Sequence, residues 1–132
     1  MVFITRRERF SSAHKLENKK LSTKENNDTF GSCYNMHGHN YELIVKLTGD
    51  IDPETGMLMD LSILKKIIKK EVEDVLDHKN LNLDIPYFKD LIPSTEILAI
   101  FIWNRLKDAI DIKCDLSIVL YETPRNFVEY SG

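Results

Sequence analysis

From His37 to Thr48 the chain alternates. His37, His39, Tyr41, Leu43, Val45 and Leu47 fall on one face, and Asn40, Glu42, Ile44 and Lys46 on the other. A period of two is that of a half-buried strand. Asp115 to Glu122 repeats the pattern, with Leu116, Ile118 and Leu120 on one side. Val2 to His14 reads as an extended stretch entering the domain, and Phe127 to Tyr130 as a short last strand. Between these segments the period changes. Leu61, Leu64, Ile67, Ile68, Val72, Val75 and Leu76 recur every three or four residues opposite lysines and glutamates, which predicts an amphipathic helix capped by Asp60 and ending near Asp77. Pro93-Ser94-Thr95 opens a second helix that turns Ile97, Leu98, Phe101, Ile102 and Trp103 inward through Leu106. Asp52-Pro53-Glu54-Thr55-Gly56 is a turn, in which Gly56 supplies an unusual φ. Residues 17–35 and the stretch around Pro86 are polar and read as loops, the first long enough to suggest a functional role. The order strand, strand, helix, helix, strand, strand predicts an α+β domain with two helices on one face of an antiparallel sheet.

The length of 132 residues suits one domain spanning residues 1–132. The net charge of -3 argues against a nucleic-acid partner, which usually demands a basic face. No apolar run approaches the roughly 20 residues that span a bilayer. The N-terminal residues place charge where a signal peptide needs its apolar core, so a cytoplasmic protein is expected. Cys33 and Cys114 are the only cysteines, and in that compartment both are expected as thiols.

The candidate chemistry starts at His37-Gly38-His39. Residues i and i+2 of a strand share a face, so both imidazoles point to one place. His14 can supply a third ligand from a neighbouring strand. Three neutral imidazoles with one open position are the pattern of a catalytic rather than a structural zinc site. Cys33 lies four residues before His37 and can be a fourth ligand, a nucleophile or base, or an inert thiol. Asp77-His78 ends the first helix. The histidine there either interacts with the helix terminus or is held by the aspartate to activate a thiol; adjacent residues within a helix bond each other poorly. Glu122 sits in an apolar strand, where a carboxylate is costly unless paired; it faces either solvent or a donor-rich ligand. Thr95 and Glu96 suit a helix start by themselves.

Six stretches carry a resemblance. They are Phe10-Ser11-Ser12-Ala13-His14, Cys33-x-x-x-His37-Gly38-His39-Asn40-Tyr41, Asp52-Pro53-x-Thr55-Gly56-Met57, Leu76-Asp77-His78-Lys79-Asn80-Leu81-Asn82, Ser94-Thr95-Glu96-x-Leu98-Ala99 and Tyr121-Glu122-Thr123. Together they resemble the 6-pyruvoyl tetrahydropterin synthase family, which includes the 6-carboxytetrahydropterin synthases of queuosine biosynthesis. The resemblance implies zinc at His14, His37 and His39. It implies Cys33 as catalytic base, with Asp77 and His78 completing the proton-handling set. Glu122, supported by Thr95 and Glu96, is implied as the anchor of a pterin ring. It further implies the tunnelling fold (T-fold) and a homohexamer, a dimer of trimers with sites between subunits. The implied reaction is loss of triphosphate from 7,8-dihydroneopterin triphosphate.

The two branches of the family differ in product. Three residues separate Cys33 from His37, which resembles the carboxy branch, whose product is 6-carboxytetrahydropterin, with acetaldehyde released. Leu21-Ser22-x-x-Glu25-Asn26 with Phe30-Gly31, and Asp84-x-Pro86-Tyr87-Phe88, resemble the pyruvoyl branch. The cysteine spacing positions the reacting group, so the carboxy product is the expectation and the pyruvoyl product its alternative. Ile97 departs from the asparagine common after this glutamate in the family. Two rival readings are a non-catalytic zinc- or pterin-binding domain and a structural Cys-His₃ zinc site.

Overall fold

A computed structural model describes residues 1–132. Two long strands, β1 (Val2–His14) and β2 (His37–Gly49), pair antiparallel over their whole length. β4 (Asp115–Tyr121) adds antiparallel to β2, and β5 (Phe127–Tyr130) to β4. The two-residue β3 (Lys79–Asn80) lies parallel to the end of β1, giving the order β3-β1-β2-β4-β5. The sheet is therefore antiparallel apart from this short parallel edge. Its helix-facing side is the face predicted from the alternation. Tyr41, Leu43, Val45 and Leu47 are fully buried, and Leu116, Ile118 and Leu120 are nearly so. Each such side chain stabilises the fold by roughly 1.5–3 kcal/mol.

The first predicted helix forms as α2 (Leu61–Ile68), a π turn (Lys69–Glu73) and α3 (Asp74–Leu76), with Asp60 as its cap through a 2.8 Å bond from the Ser62 N–H. The buried set is Leu64, Ile68, Val72 and Leu76, spaced by fours. At about 100° per residue, the twelve steps from Leu64 to Leu76 overshoot three turns by about 120°. A π turn absorbs one extra residue and cuts the overshoot to about 20°, so one stripe stays on the sheet. Leu61 falls outside that stripe and is exposed. The second predicted helix is α5 (Thr95–Ala109), capped by Ser94.

Two stretches read as loops contain helices. α1 (Thr23–Phe30) follows Ser22 with a full capping box to Glu25. It buries only Asn26, whose amide bonds the Asn18, Leu21 and Ser22 carbonyls, so no apolar stripe announces it. The Pro86 region forms α4 (Leu81–Asp84) and a 3-10 turn, Pro86–Phe88.

The π turn also brings Glu73 over Glu8 of β1. Burial raises the Glu73 pKa to about 7, as does its hydrogen bond to Glu8. Burial works against the Glu8 charge too, but the Glu73 hydrogen bond and Arg6, 2.6 Å away, hold its pKa below the ordinary value. The folded chain thus keeps the Glu73 proton up to about pH 7, whereas the unfolded chain releases it near 4.5. Glu73 therefore costs stability as pH rises through that window. Glu73→Gln keeps a donor for Glu8 and cannot ionise. It is expected to raise Tm at pH 8 and leave it unchanged near pH 4. Solvent reaches both carboxyls, so the gain is on the order of 1 kcal/mol, not the several of a fully buried pair. Thermal melts at the two pH values check this; equal shifts at both would contradict it.

Candidate metal centre and ligand cleft

The register of β1 and β2 builds the centre. His14, the last residue of β1, pairs with His37, the first of β2, and His39 stands opposite Ser12. The three rings lie 4.6–5.1 Å apart between centroids. The His14 Nδ1–H donates to the Pro93 carbonyl at 2.8 Å, and that of His37 to the Asn35 carbonyl at 2.6 Å. These bonds fix the tautomers and leave Nε2 of both rings as free lone pairs. The buried Nε2 atoms of His14 and His39 have no hydrogen-bond partner, a costly state unless something binds them. One ligand atom from each ring lies within 4.8 Å of the others, so the three histidines can hold a metal ion. Burial lowers the pKa of His14 and of His39, and the neighbouring His37 lowers both further, against the pull of Glu122. The shift favours the neutral form of these two rings, the form in which a histidine ligates a metal.

Glu122 follows the last residue of β4, where its N–H donates to the Asn126 carbonyl across the turn into β5. Its side chain accepts a short hydrogen bond from the Thr95 hydroxyl. Its oxygens lie 4.0 Å from His14 Nε2 and 3.8 Å from His39 Nε2. Thr95, Glu96 and Glu122 line one cleft of about 440 Å³ together with Arg125, Asn126 and Phe127, the size range of small-molecule sites. Thr95 is buried at the first turn of α5, and Glu96 beside it is exposed. The three residues singled out around a possible ring site are thus brought together, next to the histidines.

Asp77 and His78 lie elsewhere. The helix ends at Leu76, Asp77 is extended, and His78 has φ 60°. Outside the helix the neighbours do bond: His78 Nδ1 is 2.9 Å from Asp77 Oδ2. A bond from the Ser11 N–H to Asp77 Oδ1 at 2.8 Å fixes the carboxylate, and it and His78 hold the Asp77 pKa below the ordinary value. The His78 ring is 85% exposed and lines a depression with Ser11, His39, Asn40 and Asn80, distinct from the cleft that Glu122 lines. Cys33 sits in a 3-10 turn (Gly31–Tyr34) as a free, half-buried thiol. Its carbonyl accepts from the Leu16 N–H at 2.8 Å, tying it beside the end of β1 that carries His14. Cys114 is also free.

Sequence reasoning missed Tyr41 as part of this centre. It lies under the histidines, fully buried, with its hydroxyl unpartnered. Burial raises its pKa, and the Glu122 charge adds to the effect. The signal was present, since Tyr41 continues the His37, His39 face of β2.

The family model for 6-pyruvoyl tetrahydropterin synthase matches residues 3–132. The chain is 44% identical to human 6-pyruvoyl tetrahydrobiopterin synthase over 131 residues, 98% of this chain and 90% of that protein. It is 34% identical to the 6-carboxy-5,6,7,8-tetrahydropterin synthase of Haemophilus influenzae, over 76% of this chain and 84% of that one. The structure of Caenorhabditis elegans 6-pyruvoyl tetrahydropterin synthase superposes with a TM-score of 0.91 at 39% identity, covering 99% of this chain and 95% of the other. Fold, full-length match and identity agree: the chain belongs to the 6-pyruvoyl tetrahydropterin synthase family and has its T-fold.

Proposed function

We propose that this enzyme, acting as one domain over residues 1–132, eliminates triphosphate from 7,8-dihydroneopterin triphosphate and gives 6-pyruvoyl tetrahydropterin. The observation that carries the reading is the juxtaposition of three clustered histidines, whose ligand atoms lie within 4.8 Å of one another, with a cleft lined by the hydrogen-bonded Glu122–Thr95 pair. The greater identity to the pyruvoyl synthase than to the carboxy synthase supports this product over the one expected from cysteine spacing.

Zinc is the ion proposed for His14, His37 and His39, and bound there it would polarise the hydroxyls of the substrate side chain and ease removal of their protons and of the adjacent C–H protons. Glu122 accepts two parallel hydrogen bonds from the amino-pyrimidine edge of the ring, the bidentate pairing a carboxylate suits best. Thr95 holds the carboxylate for this, and Glu96 flanks it. Cys33, as thiolate, takes a proton from the side chain. His78, oriented by Asp77, returns or accepts the partner proton. Within one chain His78 does not line the cleft of Glu122, and Asp77 and His78 are placed in the site of a neighbouring copy. That requirement calls for an oligomer, and a homohexamer, a dimer of trimers, is the assembly proposed. The chain has no helix long and apolar enough to cross a membrane, and two free cysteines fit a cytoplasmic location.

The three-residue spacing from Cys33 to His37 favours a second reading, in which the side chain is cleaved to 6-carboxytetrahydropterin and acetaldehyde. An acetaldehyde trap added to the zinc-loaded enzyme and substrate separates the two. Triphosphate released without acetaldehyde is the expected result, and stoichiometric acetaldehyde would establish the second reading.

A further inference from the structure

Glu122 is asked to hold a ring, yet in the chain alone it aims at the histidines. We infer that Glu122 is the fourth metal ligand of the substrate-free enzyme and leaves that position when a pterin binds. The inference rests on the assignment of a metal to His14, His37 and His39.

Four observations carry it. The carboxylate oxygens stand 4.0 and 3.8 Å from His14 and His39 Nε2, and these two nitrogens have no other partner. A tetrahedral ion at about 2 Å from each ligand would space its donor atoms roughly 3.3 Å apart. Each oxygen stands slightly beyond that spacing from its own histidine, and a small side-chain movement must bring one of them to the shared position. Thr95 is the single hydrogen-bond donor to the carboxylate, which leaves Oε1 free to coordinate. The backbone of Glu122 is fixed across the turn by Asn126, so exchange requires only a side-chain rotation. Three neutral histidines do not offset the charge of a divalent ion in a buried setting, and a carboxylate does so in part.

The same two oxygens cannot serve the metal and the ring edge together. Ring recognition therefore vacates the metal's fourth position for the side chain of a correct substrate. Linkage makes the coupling reciprocal: a pterin ring that draws Glu122 away must weaken metal binding. A ring without side-chain hydroxyls, such as 6-methylpterin, isolates this effect.

The test uses the full-length protein and measures zinc affinity by chelator competition. Glu122→Gln is expected to bind zinc about 100-fold more weakly than the parent, at or beyond the upper end of the loss typical of a residue that only orients a ligand, with the melting temperature of the metal-free protein unchanged. In the parent protein, 6-methylpterin is expected to lower zinc affinity and to shift the visible bands of the cobalt(II)-substituted form toward those of Glu122→Gln. The second measurement needs no variant. Equal zinc affinity in both proteins, with cobalt bands indifferent to 6-methylpterin, would overturn the inference and leave Glu122 serving the ring alone. Failure of the parent to bind zinc at all would overturn the metal assignment itself.

Discussion

Replacing His39 by alanine is expected to remove metal and activity together while the fold persists. His39 contributes one of the two buried, unpartnered Nε2 atoms, and its neutral state is maintained by burial and by His37. Losing one of three ligands should weaken zinc binding by about 100-fold or more, beyond the 10- to 100-fold typical of residues that only orient a ligand. The metal-free protein should not suffer, because the substitution deletes an unsatisfied polar atom and no hydrogen bond. Thermal shift separates these outcomes. Zinc at 100 times its Kd should stabilise the parent by about 2.7 kcal/mol, and the same concentration should move the variant's Tm far less. Parent-like zinc stabilisation in His39→Ala would contradict the three-histidine centre. Loss of the fold without metal would make His39 structural.

Cys33→Ala and His78→Ala should each be inactive as pure proteins, and a mixed assembly of the two should regain activity. The prediction follows from where each residue lies. Cys33 is tied beside the strand end that carries His14, whereas His78 lines a depression other than the cleft of Glu122. If the reacting set joins Cys33 of one copy to His78 of another, mixing by partial denaturation and reassembly creates some sites that hold both residues. Those sites should turn over at the parent rate, and the recovered activity should rise and fall with the mixing ratio, peaking at equal parts. Zinc content should remain normal in both variants. Mixed assemblies as inactive as their components would place the whole set within one chain.

The strands were legible because one face of each is buried without interruption. His37 to Leu47 shows this best: a single alternation specifies the histidine face at one end and the core at the other. The helices followed from their apolar stripes, although the stripe of fours from Leu64 to Leu76 conceals a π turn that no simple helical period announces. What escaped has a polar cause each time. α1 is held by the hydrogen bonds of Asn26, so only the capping pattern of Ser22 and Glu25 marked it. The Asp77–His78 bond depends on the chain leaving the helix one residue earlier than expected and on a left-handed His78. β3 exists only because Ser12 and Ala13 offer it an edge. At the site, residue types and strand faces located the histidines. The approach of Glu122 to their Nε2 atoms depends on the turn between β4 and β5, which local sequence does not encode.

The central claim is the reaction, and its most direct test is to identify the products. Zinc-loaded protein incubated with 7,8-dihydroneopterin triphosphate should yield free triphosphate and a pterin with the mass of the 6-pyruvoyl tetrahydro product. A 6-carboxy product with acetaldehyde would contradict that claim and give weight back to the cysteine spacing. An intact triphosphate ester after incubation, with zinc bound and the fold preserved, would contradict the elimination itself.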